Sequence, residues 1–284
     1  MKLNYNLLFL FISSLIGQGE EKPDRIPEGY SVRTIETPAE VFLGVGGMEF
    51  SPDGHLYICT REGEVWRHSI QTGEWKLFAD GLHEALGIWI DPNNGEIYVI
   101  HRPEITKLID TDEDGRADLY ETVNAEWGVT DNYHEYAFGL VRDRKGNFYG
   151  TLNTSLSWPG WARSKKWDIA RVWTKGFQDT EGKMGRAAKY RGWGFKITPE
   201  GKFMPFASGM RSPAGIGINK EDELFFTDNQ GDWEATSSLH HIVEGRFHGH
   251  PSSLTDHPDF EGKDLNSIAI EKYEKLRKRP AVWI

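Results

Sequence analysis

Four similar stretches of sequence predict an all-β fold built of repeated hairpins. Each begins with a glycine, continues with alternating apolar residues, passes through a polar turn and ends at an aromatic residue. The four copies are residues 47–57, 87–98, 139–149 and 215–225. Alternation is typical of half-buried strands, and polar tips such as Asp-Gly are typical of hairpins. Since hairpins that recur at this spacing indicate blades, we predict a β-propeller of four-stranded blades, about four of them in this chain.

The composition agrees with this fold class. Aromatic residues make up 13% of the 284 residues and glycine occurs 31 times, which suits many short strands and turns. The net charge of -10 argues against a nucleic-acid partner. The single cysteine, Cys59, excludes an intrachain disulfide, and its place in an alternating strand predicts a small buried apolar side chain.

The N-terminus has the features of a secretory signal. Lys2 precedes an apolar run over residues 7–16, and small residues follow at Gly17 and Gly19. We therefore predict a signal peptide at residues 1–19 that is too short to span a membrane, and a polar linker at residues 20–28. The expected location is secreted or periplasmic, and export without disulfides fits a bacterial periplasm.

The propeller is expected over residues 29–284. A first strand is predicted at residues 30–35, and further strands complete the repeats at 63–67, 74–78, 105–109, 192–197 and 202–206. Residues 279–284 resemble the beginning of another strand, which suggests that the native chain continues. An insertion at residues 156–190 is rich in tryptophan, lysine and arginine. Long loops of this kind are usually functional, so we expect it to be a lid, a sugar-stacking surface or a partner contact.

Residues 110–121 match the twelve-position calcium loop at every ligand position. Side chains would come from Asp110, Asp112, Asp114, Asp118 and Glu121, and the backbone carbonyl from Arg116. Gly115 allows the sharp turn that this loop needs. Carboxylates so close together repel one another without a cation, so we predict a bound Ca²⁺ in a loop that replaces a blade turn.

Two clusters lie directly before the third and fourth repeats. The first contains His134 and the second contains Arg211. Because equivalent positions in successive blades face the same end of a propeller, we expect these side chains to converge, as a general base and an anion-stabilising partner. The fourth repeat ends in Asp228 and Asn229, which we predict to be cofactor-binding residues and which also suit a cation or a sugar hydroxyl. Each of these residues also has an ordinary structural interpretation.

These segments resemble the glucose/sorbosone dehydrogenase propellers that bind pyrroloquinoline quinone (PQQ). The resemblance rests on residues 211–215 and 224–228; it implies that His134 is the catalytic base and that Arg211 contacts the quinone. Residues 133–140, 211–213, 227–233 and 247–251 are similar to the secreted "membrane-bound dehydrogenase domain" proteins of planctomycetes and relatives. That resemblance covers nearly all of the mature chain.

The resemblance carries further expectations. The family closes its ring with six blades, so the chain is expected to be truncated. Many of the similar proteins carry a c-type haem, but this chain has no C-x-x-C-H motif. An electron acceptor with c-type haem would therefore be on another domain or protein. His248 and His250 could chelate Zn or Cu, and we interpret their loop as structural or substrate-facing.

Three functions remain open at this point. The first is a PQQ-type dehydrogenase of sugars or alcohols, in which His134 takes the hydroxyl proton while hydride passes to the quinone. The second is a non-catalytic propeller that binds a polysaccharide or a protein. The third is a metal-dependent lactone hydrolase with Asp and Asn around one cation. The fold alone does not choose between them.

Overall fold

The computed structural model describes residues 26–39, 41–129, 134–154, 188–230, 234, 236–263 and 265–284. The predicted signal peptide and nearly all of the Trp-rich insertion lie outside the described residues. The chain divides into two units, Met1–Glu36 and Thr37–Ile284. In the first unit the strand predicted at residues 30–35 is wrong. Tyr30 and Val32 are 77% and 78% exposed, and no strand among the described residues pairs with them.

The second unit contains four four-stranded antiparallel sheets, arranged as the blades of a β-propeller. Blade 1 comprises β1 (Val45–Phe50), β2 (His55–Thr60), β3 (Val65–Ser69) and β4 (Trp75–Ala79). Blade 2 comprises β5 (Gly87–Ile90), β6 (Ile97–His101), β7 (Glu104–Ile109) and β8 (Leu119–Asn124). Blade 3 comprises β9 (Ala137–Arg142), β10 (Phe148–Leu152), β11 (Trp193–Ile197) and β12 (Phe203–Ser208). Blade 4 comprises β13 (Pro213–Ile218), β14 (Leu224–Asp228), β15 (Ser238–Ile242) and β16 (Val282–Trp283).

Each repeat predicted from the sequence is the first hairpin of a blade, so the repeat prediction is confirmed. The first strands of successive blades, β1, β5, β9 and β13, lie next to one another. The repeated glycine permits this approach. A Cβ atom on Gly87 would lie 1.6 Å from the carbonyl oxygen of Gly139, and one on Gly47 would lie 3.0 Å from the Cα of Gly87. Only glycine fits where two backbones come this close.

The apolar core lies between neighbouring blades. Cys59, Val65 and Ile88 belong to the cluster shared by blades 1 and 2. Similar clusters join blades 2 and 3 and blades 3 and 4. Cys59 is fully buried, as predicted, and burial raises the pKa of its thiol to about 12. It is therefore an inert packing residue.

The connection between β15 and β16 forms a small helical layer with its own core. It contains three short 3₁₀ helices, Pro251–Asp256, Pro258–Phe260 and Leu265–Ser267, and α1 (Ile270–Leu276). The strand expected near the end of the chain is present as β16, which pairs with β15 and is the fourth strand of blade 4. Within the described residues, no helix has the length and apolar character needed to cross a membrane.

Candidate functional site

One backbone contact recurs in all four blades and defines a common end of the sheets. The residue after the second strand donates its N–H to a carbonyl oxygen just before the first strand of the same blade. The pairs are Arg61 to Gly44 (2.8 Å), Arg102 to His83 (2.8 Å), Asn153 to Tyr136 (3.0 Å) and Asn229 to Ser212 (3.4 Å). The four donors therefore occupy equivalent positions, and we call the loops at this end the mouth.

His134 and Arg211 both belong to the mouth. His134 lies two residues before Tyr136, and Arg211 lies one residue before Ser212. Burial lowers the pKa of His134, and the positive charges of Arg211 and Arg102 lower it further. A neutral imidazole at neutral pH can accept a proton, which is what a general base requires.

A carboxylate that the sequence analysis missed joins two arginines of the mouth. Glu84 accepts hydrogen bonds from Arg61 at 3.2 Å and from Arg102 at 3.1 Å. The blade 2 loop is one residue longer here than in the other blades, and Glu84 has a left-handed backbone with φ of 53°. Arg61 also donates to the hydroxyl of Tyr136 at 2.8 Å and lies over its ring. The mouth is therefore a connected polar network.

Asp228 holds the loop that carries Arg211. Its carboxylate accepts backbone N–H groups from Arg211 (2.8 Å), Ser212 (2.7 Å) and Asn229 (3.0 Å). Burial raises its pKa to about 6, and the backbone hydrogen bonds oppose that shift. The structure thus gives Asp228 a role in fixing the Arg211 backbone. A direct contact of Asp228 or of the exposed Asn229 with a cofactor stays a prediction.

Asn153 is a second residue that the sequence analysis missed. Its side chain is 2% exposed, and its Oδ1 atom has no hydrogen-bond partner among the described residues. It occupies in blade 3 the position that Arg61 and Arg102 occupy in blades 1 and 2. Aligning the four repeats beyond their hairpins would have indicated it, because the equivalent position directly follows each second strand.

The histidines near residue 248 pack as core side chains. His240 is stacked on Phe226 with ring centroids 4.6 Å apart, and His248 meets His240 edge-on at 5.3 Å. Burial lowers the pKa of His240 to about 4 and that of His248 to about 3. His250 pairs with Ser252 at 2.6 Å. Neutral, packed rings match the structural interpretation of this segment.

The predicted calcium loop connects β7 and β8, so it replaces a blade turn. Carboxylate oxygens of Asp110, Asp112 and Asp114 lie within 4.8 Å of one another, and this is the one such acidic or His/Cys group among the described residues. Asp110 accepts the N–H groups of Asp114 (3.2 Å) and Gly115 (2.8 Å), which preforms the turn.

Two of the other predicted ligands of this loop, Asp118 and Arg116, have side-chain partners of their own. The Asp118 carboxylate accepts the N–H of Thr111 at 2.8 Å and its hydroxyl at 2.6 Å. Glu121 lies on β8 opposite Lys107. The Arg116 side chain pairs with Asp80 at 2.6 Å, which ties the loop to the segment after β4. The structure thus brings three of the six predicted ligands into one group.

The comparisons with known proteins identify the fold. No family model matches the chain. A curated relative, the glycine betaine-binding periplasmic protein OusX of Dickeya dadantii, is 27% identical over 140 residues; the match covers 44% of this chain and 42% of that protein. This chain thus spans less than half of that relative's length.

Solved β-propeller structures match far more of the chain. A putative oxidoreductase (glucose dehydrogenase) of Thermus thermophilus is similar at a TM-score of 0.59 and 16% identity, over 85% of this chain and 71% of that one. The PQQ-bound aldose sugar dehydrogenase of Streptomyces coelicolor is similar at a TM-score of 0.56 and 16% identity, over 89% of this chain and 70% of that one. The soluble aldose sugar dehydrogenase of Escherichia coli is similar at a TM-score of 0.56 and 15% identity, over 85% of this chain and 72% of that one. These likenesses show the fold.

Proposed function

We propose that this chain is a PQQ-dependent dehydrogenase of sugars or other alcohols, secreted or periplasmic. One observation carries the proposal: the backbone contact that recurs in the blades puts the loops that carry His134, Arg211 and Arg102 at the same end of three sheets. The positive charges of the two arginines lower the pKa of His134. A base beside two cations is the arrangement that proton removal next to an anionic acceptor needs. The structural likeness to sugar dehydrogenases, one of them PQQ-bound, supports the same class.

The donor groups of the mouth fit a quinone that carries several carboxylates. Guanidinium groups recognise carboxylates through paired, charge-assisted hydrogen bonds. Arg211 and Arg102 would hold the anionic group, and the buried amide of Asn153 has an oxygen without a partner among the described residues for a donor on the ligand. When bound, the quinone supplies the two-electron acceptor that no amino-acid side chain provides.

Each residue of the mouth then has a defined task. His134 is neutral at neutral pH and accepts the hydroxyl proton of the substrate on its imidazole. Arg211 presents positive charge from a backbone that Asp228 fixes through two N–H groups. Glu84 holds the side chains of Arg61 and Arg102 and offsets part of their charge. The resulting site favours a negative charge that develops near His134.

The test is an equilibrium titration of PQQ into the purified protein. We expect saturable binding that weakens about tenfold or more for Arg211→Met, since a hydrogen bond to a charged group contributes about 1.5–3 kcal/mol. Arg144→Met is the matched control, because Arg144 pairs with Asp222 at a hairpin tip outside the mouth. Absence of binding to the folded wild type would refute the proposal and return attention to glycan, protein or lactone ligands.

We further propose that the loop at residues 110–121 binds Ca²⁺ as a structural ion. The side chains of Asp110, Asp112 and Asp114 already share one small volume, and hard oxygen ligands at this spacing suit calcium. Asp118 and Glu121 would complete the shell, Asp118 through water, and Arg116 would offer its carbonyl because its side chain is engaged with Asp80.

The proposed partners follow from the proposed reaction. A sugar or polysaccharide supplies the hydroxyl group, and a c-type haem on another domain or protein takes the electrons. Membership in the secreted "membrane-bound dehydrogenase domain" group is part of this proposal. A dye acceptor can replace the haem partner in assays, so substrate screening needs only the chain, PQQ, calcium and the dye.

A further inference from the structure

One buried arginine holds both ends of the loop that carries His134. The Nη2 atom of Arg191 donates to the carbonyl oxygen of Gly128 at 2.7 Å, and its Nη1 atom donates to that of Tyr136 at 3.2 Å. Gly128 lies before the loop and Tyr136 lies after His134. Because the guanidinium group is planar and rigid, these two bonds fix the separation of the loop's ends.

Arg191 is also paired with the residue that directly follows His134. Its Nη2 atom lies 3.9 Å from Oε2 of Glu135, and neither side chain is exposed to solvent. The other carboxylate oxygen of Glu135 accepts the N–H of Ala188 at 2.9 Å. Burial lowers the pKa of Arg191 to about 10, so the guanidinium group stays charged at neutral pH.

Stability does not account for this pair. Moving two charges into the interior costs free energy that their attraction offsets only in part, and packed apolar replacements are often as stable. The 3.9 Å separation is also longer than the 2.7–2.9 Å of a strong charge-assisted hydrogen bond. What the arrangement does achieve is geometric, because its contacts end on the carbonyl groups of Gly128 and Tyr136 and on the side chain of Glu135, the residue next to His134.

We propose that Arg191 and Glu135 are positioning residues that keep the His134 imidazole beside Arg102 and Arg211. This inference rests on the proposed role of His134 as the base of the reaction. Its structural part, that the buried pair sets the location of the ring, can be measured without any cofactor or substrate. The two residues act through His134 and touch neither reactant.

The experiment is an NMR titration of the His134 imidazole, with its resonance assigned by loss in His134→Ala. In the wild type we expect a midpoint below the ordinary value near 6.5, because burial and the two arginines disfavour the charged ring. The double variant Glu135→Leu/Arg191→Met removes both charges, so neither is left unpaired. There the ring moves away from the arginines into water, and the midpoint rises toward 6.5.

Arg142→Met is the matched control. Arg142 lies at the opposite end of β9 and forms a partly buried pair with Asp91 at 3.5 Å. We expect this variant to lose stability while the His134 midpoint stays at the wild-type value. An equal shift in Arg142→Met would show general loosening and overturn the proposal.

Arg191→Lys gives the second measurement. It retains a buried positive charge but cannot span both carbonyl groups, so the midpoint should shift in the same direction even if the double variant fails to fold. An unchanged midpoint in the folded double variant, or in Arg191→Lys, would refute the positioning role. Failure of the proposed function is distinguishable, because it appears as absence of PQQ binding to the wild type whatever the His134 midpoint does.

Discussion

The mouth and the acidic loop between β7 and β8 assemble their polar groups in opposite ways. The mouth brings loops of all four blades to one end of the sheets, so that Arg61 of blade 1 and Arg211 of blade 4, which are 150 residues apart in the sequence, belong to the same region. The loop gathers Asp110, Asp112 and Asp114 from five consecutive residues and is exposed. The mouth is partly buried, and burial together with the charges of Arg211 and Arg102 lowers the pKa of His134, whereas the carboxylates of the loop are mostly exposed to water. Chemistry is therefore expected at the mouth and ion-dependent stability at the loop.

The largest expected effect is on catalysis at the mouth. His134→Ala removes the proposed base, and positioned bases contribute about 10²–10⁴-fold to a rate. With PQQ, calcium and a dye acceptor present, we expect kcat/KM for an aldose to fall at least about 100-fold. His55→Ala, in the exposed β1–β2 hairpin, should leave the rate unchanged. Undiminished activity in His134→Ala would contradict the proposal that His134 is the base and that the mouth is the catalytic site.

A smaller effect is expected from the residue that holds Arg211. Asp228→Ala leaves the N–H groups of Arg211 and Ser212 without their acceptor. The backbone that carries the Arg211 side chain is then no longer held in place. We expect PQQ affinity to fall about tenfold, since one charged acceptor is worth about 1.5–3 kcal/mol. Isothermal titration of the variant measures this. If Asp228→Ala binds PQQ with the affinity of the wild type, the hydrogen bonds from Asp228 to the Arg211 loop do not contribute to PQQ binding.

The pH dependence of kcat/KM tests the electrostatic interactions of His134 at the mouth. The lowered pKa of His134 means that its imidazole stays neutral below pH 6.5, so the proposed rate should fall only at lower pH. Arg102→Met removes one of the positive charges that disfavour the imidazolium ion. The pKa of His134 should then rise, and the acid limb of kcat/KM against pH should move to higher pH. A limb that stays in place, or moves to lower pH, would contradict the interaction between the two side chains.

At the acidic loop the expected effect is on stability and not on catalysis. Calcium at about 100 times its dissociation constant adds about 2.7 kcal/mol, which for a domain of this size raises Tm by about 5 °C or more. Asp112→Ala should abolish the rise seen by calorimetry on adding Ca²⁺ to chelated protein. Glu221→Ala, which removes one exposed charge from a different turn, should retain it. If chelation leaves the wild-type Tm unchanged, the loop does not bind calcium.

The comparison also explains what the sequence could predict. The four hairpins and the loop at residues 110–121 are local patterns, and the structure contains the hairpins where their alternation predicts them. Position in the repeat was enough to place His134 and Arg211 at the same end of the blades. The backbone hydrogen bond of Arg211 follows from its place in the fold, because Asp228 at the end of β14 reaches the residues just before β13.

Other features depend on packing that no local pattern encodes. Glu84 links Arg61 and Arg102 only because one extra residue in blade 2 adopts a left-handed backbone. Arg191 lies 57 residues after His134 in the sequence, beyond the insertion, and nothing in its neighbourhood indicates that it bonds to Tyr136. The strand expected at residues 30–35 alternates correctly, but alternation alone does not supply a neighbouring strand.

The most direct measurement is the single-turnover reduction of PQQ bound to this chain, followed by quinone absorbance after an aldose is added. The account predicts that wild-type protein loaded with PQQ and calcium reduces the quinone faster than PQQ in buffer, in a single phase that saturates with aldose. It also predicts that His134→Ala binds the quinone but reduces it at least about 100-fold more slowly. Equal rates in the two proteins, or no binding by the wild type, would contradict the assignment of the mouth as a dehydrogenase site.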